Sequence, residues 1–149
     1  MLRGNSPAKI DDKGRLKVPN GFRAAIQKDH GPELFVTSLT GQSVRIYPMP
    51  IWLDVERRIA QMPSTHPARQ KYLDRVNFYG QVAELDPQGR VLIQPRLRDT
   101  ALMNGEVDVL GQQNFLEVWN HERFVARLLV SWRCWNSPRN RPRPRQFLC

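Results

Sequence analysis

Residues 8–19 read AKIDDKGRLKVP, and residues 83–95 read AELDPQGRVLIQP. Asp11, Gly14 and Arg15 of the first stretch hold the same places as Asp86, Gly89 and Arg90 of the second. Each stretch sets β-forming residues on both sides of a Gly-bearing turn, the pattern of a strand, a tight turn and a second strand. Gly14 suits such a turn because glycine takes a positive φ without strain. Asp11 can accept hydrogen bonds from the turn's backbone N–H groups or pair with Arg15 across it.

The likeness extends past the turns. PNGFRAAIQKD follows the first hairpin, with Phe22, Ala25 and Ile26 spaced to share a helix face, and PRLRDTALMNG follows the second. Arg23 and Arg98 stand at the same offset, and each segment runs into a Gly-bearing stop, HGP and NGE. Two further strand pairs follow: ELFVTSL with SVRIYP about a TGQ turn, and EVDVLGQ with FLEVWN about QN. Each leads into an amphipathic helix. PIWLDVERRIAQM stripes Ile51, Trp52, Val55 and Ile59, while HERFVARLLV stripes Phe124, Val125 and Leu128. Trp52 and Phe124 are expected in the core, Asn120 as an N-cap and Glu122 in the first turn. Between the copies, STHPARQKYLDRVNFYG reads as a helix capped by Ser64 or Thr65, with Pro67 in its first turn.

Strand, strand, short helix, strand, strand, helix therefore occurs twice, which marks an internal duplication. A unit of about fifty residues with four short strands buries little apolar surface alone. Two units related by a pseudo-two-fold axis can interleave their strands, close one shared barrel and shield edges that invite aggregation. Leu16 and Val18 alternate with Arg15 and Lys17, whereas Val91–Ile93 is an unbroken apolar run, expected to be buried on both faces. The expected fold is mainly β with helices (α+β).

The net charge of +9, with a sequence pI near 10.4, favours a polyanionic partner, nucleic acid first. Residues 131–149 hold five arginines and no acid, so about +5 of that charge lies there. Cys134 and Cys149 support no disulfide framework or metal spacing, and His30, His66 and His121 are scattered. Without a phosphate loop or a nucleophile elbow, no enzyme, cofactor or metal is expected. No segment resembles a signal peptide or a membrane span, so the expectation is a soluble cytoplasmic protein. Lys13, Arg15 and Lys17, joined by Arg3 and Lys9, make a cationic ribbon suited to a DNA groove. The alternative is a solvated hairpin whose Asp and Arg pair only within the turn.

The paired D-x-x-x-R motifs DDKGR and DPQGR resemble those of the MraZ family, bacterial regulators associated with the cell-division and cell-wall gene cluster. MLRG, GRLKVP, YP ahead of a Trp-bearing helix, GRVLIQPRLR and LEVWN resemble that family in order and spacing over about residues 1–130. The resemblance implies two SpoVT-AbrB-like repeats, at 5–54 and 82–126, joined by a helical connector at 55–80. These swapped-hairpin half-barrels would combine into one double-split β-barrel. It also implies a sequence-specific transcriptional regulator of its own operon, cytoplasmic and nucleoid-associated. Such a regulator binds direct repeats in promoter DNA as a ring-like homo-oligomer, with no membrane or small-molecule partner. An AbrB-fold interaction or antitoxin-like module is the competing reading.

Carried over by position, Arg15 is the principal DNA contact, with Lys13 and Lys17 next to it and Arg3 and Lys9 as phosphate partners. In the second copy Gln88 and Leu92 replace the two lysines, leaving Arg90 on a poorer reading face. Arg90 is expected instead to brace the first motif by pairing with Asp11, as Arg15 would with Asp86, while Gly14 and Gly89 form the turns. The C-terminal SWRCWNSPRNRPRPRQFLC departs from the resemblance. Pro138, Pro142 and Pro144 forbid a continuous helix, so 131–149 is expected to be a disordered basic tail.

Overall fold

The computed structural model describes residues 1–136. The first repeat contributes β1 (Leu2–Ile10), β2 (Arg15–Lys17), α1 (Asn20–His30), β3 (Glu33–Thr37), β4 (Val44–Pro48) and α2 (Met49–Ala60). After α3 (Pro67–Phe78), the second contributes β5 (Gln81–Glu84), β6 (Arg90–Leu92), α4 (Pro95–Ala101), β7 (Gly105–Gln113), β8 (Leu116–Asn120) and α5 (His121–Asn136). The duplication read from the sequence is thus present element by element.

The strands form one antiparallel sheet in the order β5-β3-β4-β8-β7-β1-β2-β6, curled so that β5 and β6 meet at their own turn in a nearly closed barrel. Four pairings cross between repeats. β1 pairs with β7, and its counterpart β5 pairs with β3. β2 pairs with β6 and β4 with β8, so each of these strands lies beside its own equivalent. A pseudo-two-fold axis must run through those two pairs, and neither repeat completes its sheet alone. This is the interleaved shared barrel anticipated from the short strands, and the double-split barrel that the resemblance implies.

Side-chain alternation fills the barrel. Leu16, Val18, Leu34, Val36, Val44, Ile46, Val91, Ile93, Val107, Val109, Leu116 and Val118 point inward and are essentially inaccessible. Each such side chain contributes about 1.5–3 kcal/mol by leaving water. The opposite faces of β3 and β4 build a second cluster outside the barrel. There Phe35 stacks on Trp52 at 4.5 Å between ring centroids, and Tyr47 stacks on Phe115 at 4.7 Å. This anchors α2, as its Trp stripe anticipated.

The structure corrects several local expectations. Val91–Ile93 is not buried on both faces: Leu92 is 44% exposed, because β6 has the same in-out alternation as β2. His66, rather than Ser64 or Thr65, caps α3, its Nδ1 accepting from the Ala68 N–H at 3.1 Å. Helix α4 stops at Leu102 in the left-handed region (φ 55°, ψ 47°), ahead of the glycine in NGE. Asn120 does cap α5, its Oδ1 accepting from the Arg123 N–H at 3.1 Å. Phe124 is half-buried against Trp119, but Val125 and Leu128 are exposed. Helix α5 continues through Asn136, past the shift in composition at Ser131; the disorder expected of the tail concerns, from residue 137 on, a stretch outside the described residues.

Candidate nucleic-acid interface

The two D-x-x-x-R turns are built alike. Asp11 Oδ1 accepts from the Lys13 and Arg15 backbone N–H groups at 3.0 and 2.9 Å. The Gly14 N–H donates to the Asp11 carbonyl at 3.0 Å, with Gly14 at φ +80°. Asp11 Oδ2 then takes the Arg15 Nε–H at 2.8 Å. In the second turn Asp86 accepts from Gln88 and Arg90 at 2.9 and 2.8 Å, Gly89 sits at φ +78°, and Arg90 Nε reaches Asp86 Oδ2 at 2.8 Å. One carboxylate therefore performs both jobs suggested by the sequence, fastening the turn and holding its arginine. The backbone N–H of Arg15, reinforced by its guanidinium and the Lys13 N–H, holds the Asp11 carboxyl below its ordinary range. Arg90 and Gln88 act likewise on Asp86.

Pairing of β2 with β6 sets Arg15 opposite Leu92, Leu16 opposite Val91 and Lys17 opposite Arg90. Since Leu16 and Val91 point into the barrel, Arg15, Lys17, Arg90 and Leu92 share the outward face. The strands are antiparallel, so the turns flank opposite ends of this ribbon, roughly 13 Å apart at 3.3 Å per residue. The Ile93 N–H donates to the Gly14 carbonyl at 2.9 Å, and the Val18 N–H to the Gly89 carbonyl at 3.0 Å. Each turn is thereby stitched to the strand of the other repeat. The Arg15 and Arg90 side chains are 32% and 27% exposed, and each is held to its own turn through Nε.

The remaining expected cations divide. Lys13 and Lys17 are exposed at the ribbon, and Lys9 stands two residues before Asp11, opposite Glu106 of β7. Arg3 lies eight residues before Asp11 along β1, roughly 26 Å from the turn. It is exposed opposite Gln112 and belongs to a different part of the surface. The short Asp–Arg pairs are those within each turn. The expected cross-pairing has one counterpart, Arg90 Nη1 at 4.0 Å from Asp11 Oδ2.

Nothing in the sequence beyond their matched offset singles out Arg23 and Arg98. A Cβ built on Gly14 would lie 2.3 Å from Arg98 Cδ, and one on Gly89 would lie 2.1 Å from Arg23 Nη1. Each helix arginine lies across the turn glycine of the other repeat.

The sequence matches the family described as "MraZ protein, putative antitoxin-like" over residues 1–75 and 80–128. It is 49% identical over 128 residues to the transcriptional regulator MraZ of Acidobacterium capsulatum, covering 86% of this chain and 88% of that protein. Against the transcriptional regulator MraZ of Koribacter versatilis, identity is 49% over 123 residues, 82% and 84% of the two chains. Its namesake in Herpetosiphon aurantiacus is 35% identical over 129 residues, 86% and 87% of the two chains.

Proposed function

The chain belongs to the MraZ family, and from that premise we propose that it is a sequence-specific DNA-binding transcriptional regulator that reads duplex DNA through the β2–β6 ribbon. The observation that carries this reading is the outward face of the ribbon, where Arg15, Lys17 and Arg90 stand together between two rigid turns. A major groove about 12 Å wide admits a two-stranded β-ribbon. Arg15 offers its terminal amines to guanine with the guanidinium oriented by Asp11, while Lys13, Lys17 and Lys9 meet phosphates. Arg90 extends the cationic surface of the ribbon, and Arg3 adds a separate positive site along β1. The two repeats, bounded near 5–54 and 82–126, act as one reading head.

One ribbon makes few base contacts, so useful affinity calls for several copies on repeated sites. The outer face of α5, with Val125, Leu128 and Leu129 exposed, offers apolar surface for contact between copies. A homo-oligomer on direct repeats in the promoter of its own operon, in the cytoplasm and at the nucleoid, follows from this reading. No helix among the described residues is long and apolar enough to cross a membrane.

The test is a gel-shift titration with the duplex upstream of the chain's own gene, against random duplex of equal length, at several salt concentrations. Binding to the upstream duplex should survive random competitor and weaken with salt, and Arg15→Ala should reduce it by about 1–3 kcal/mol. Equal affinity for both duplexes would overturn the proposal. It would favour instead an interaction module of the antitoxin-like kind named in the family description.

A further inference from the structure

We propose that Arg98 and Arg23 are positioning residues, each locking the turn of the opposite repeat so that the two turns act as one preorganised reader. The inference rests on the DNA-reading role of the ribbon, although its first test does not require DNA. Arg98 leaves α4 between Leu97 and Ala101, both inaccessible, so its backbone is fixed to the second repeat. Its side chain crosses to the first repeat and lies on Gly14: Cδ, Cζ and Nε would stand 2.3–2.4 Å from a Cβ there. Arg23, on α1 beside the buried Ile26, lies on Gly89 in the same way, with Nη1, Cδ and Cζ at 2.1–3.0 Å. The glycines thus serve two ends, a positive φ and room for an arginine stem.

Neither side chain has a hydrogen bond or ion pair among the described residues, and Arg98 Nε is buried without a partner. Packing is therefore the interaction through which they act, with the flat guanidinium and its apolar stem laid over the turn backbone. Direct phosphate contact by Arg98 is disfavoured by its surroundings. Its cleft is lined by Asp11, Asp12 and Asp99, which repel an anion. A turn held from above and stitched through Gly14 to Ile93 keeps Arg15 oriented before DNA arrives, which lowers the ordering cost of binding.

The arrangement makes a crossed prediction for the free, full-length chain, read by amide hydrogen exchange. Arg98→Ala should speed exchange at Gly14 and Arg15 by roughly tenfold while leaving Gly89 and Arg90 unchanged, and Arg23→Ala should do the reverse. Acceleration in the same repeat as the substitution, or in neither turn, overturns the proposal. Arg98→Met keeps a long stem and should restore slow exchange; a Met variant that behaves like Ala would put the requirement on charge and also overturn it. If Arg98→Ala does not fold, Arg23→Ala and Arg98→Met carry the test.

On the duplex from upstream of the gene, Arg98→Ala should lower affinity roughly tenfold with the salt dependence of wild type. A salt slope shallower by about 1 would mean lost phosphate contact and would overturn the positioning role. Wild-type protein with no preference for that duplex would defeat the functional reading, while the exchange result would still decide the clamp.

Discussion

Arg90 touches both turns: its Nε lies 2.8 Å from Asp86 Oδ2 in its own turn, and its Nη1 lies 4.0 Å from Asp11 Oδ2 in the other. The first contact is a direct charge-assisted hydrogen bond; the second is at the limit of an ion pair and lacks a matching reach from Arg15 to Asp86 among the described pairs. Double-mutant cycles on thermal stability should therefore give a larger coupling for Arg90 with Asp86 than with Asp11. Asp86→Lys should lower the melting temperature and disorder the second turn, because the carboxylate also holds the Gln88 and Arg90 N–H groups. A larger Asp11–Arg90 coupling would restore the crossed brace expected from the sequence.

Gly14→Ala and Gly89→Ala should each cost about 1–2 kcal/mol from the positive φ alone. The overlap with Arg98 or Arg23 adds to that cost. In the double variant Gly14→Ala/Arg98→Ala the overlap is gone, leaving the backbone cost and the loss of Arg98's own packing. The combined loss, measured by denaturant unfolding, should then fall short of the sum of the two single losses.

Stability should fall at acid pH and again as pH rises above about 6.5, for opposite reasons. Asp11 and Asp86 titrate below their ordinary 3.8 in the fold, chiefly through the Arg15 and Arg90 backbone N–H groups. Their contribution is present above 3.8 and lost as pH falls through the lowered values. His121 is raised above 6.5, first by its hydrogen bond to Asp108 at 2.7 Å and then by that carboxylate's charge. Its contribution is full below 6.5 and lost as pH rises through the raised value. Melting temperature against pH should show both limbs. Asp11→Asn with Asp86→Asn should flatten the acid limb, and His121→Gln the alkaline one; an unchanged profile would refute the assignment.

Leu102 ends α4 in the left-handed region at φ 55°, where a β-carbon is crowded. It is 42% exposed, and its carbonyl accepts from Asn120 Nδ2 at 3.1 Å through backbone that any residue supplies. Leu102→Gly should raise stability by up to about 1 kcal/mol, read by denaturant unfolding. A loss would mean that the leucine side chain carries more than its exposure indicates.

The expectations that held rest on neighbours in sequence. The turn geometry around Gly14 and Gly89, the alternation of Leu16 and Val18 with Arg15 and Lys17, the Asn120 cap and the twofold repetition of elements are decided within a few residues. Positive φ, side-chain period and capping are local properties, so local sequence suffices for them. The misses share the opposite origin. Leu92 lies in an apolar run that reads as core, but the β2–β6 pairing turns it outward beside Arg15. Arg3 precedes the turn cations closely in sequence, but the extended β1 carries it to the far end of the strand.

Read without its fold, the chain is already a duplicated unit with the same Asp–Gly–Arg turn in each half and the extra lysines only in the first, since those features need only a few residues at fixed spacing. Tertiary structure alone decided that β2 lies beside β6, that the turns end up on opposite sides of one ribbon, and that Arg98 and Arg23 cross to the other repeat's glycine. Those relationships join residues some seventy-five positions apart. Their cause is the closing of a barrel whose halves can bury their apolar faces only against each other.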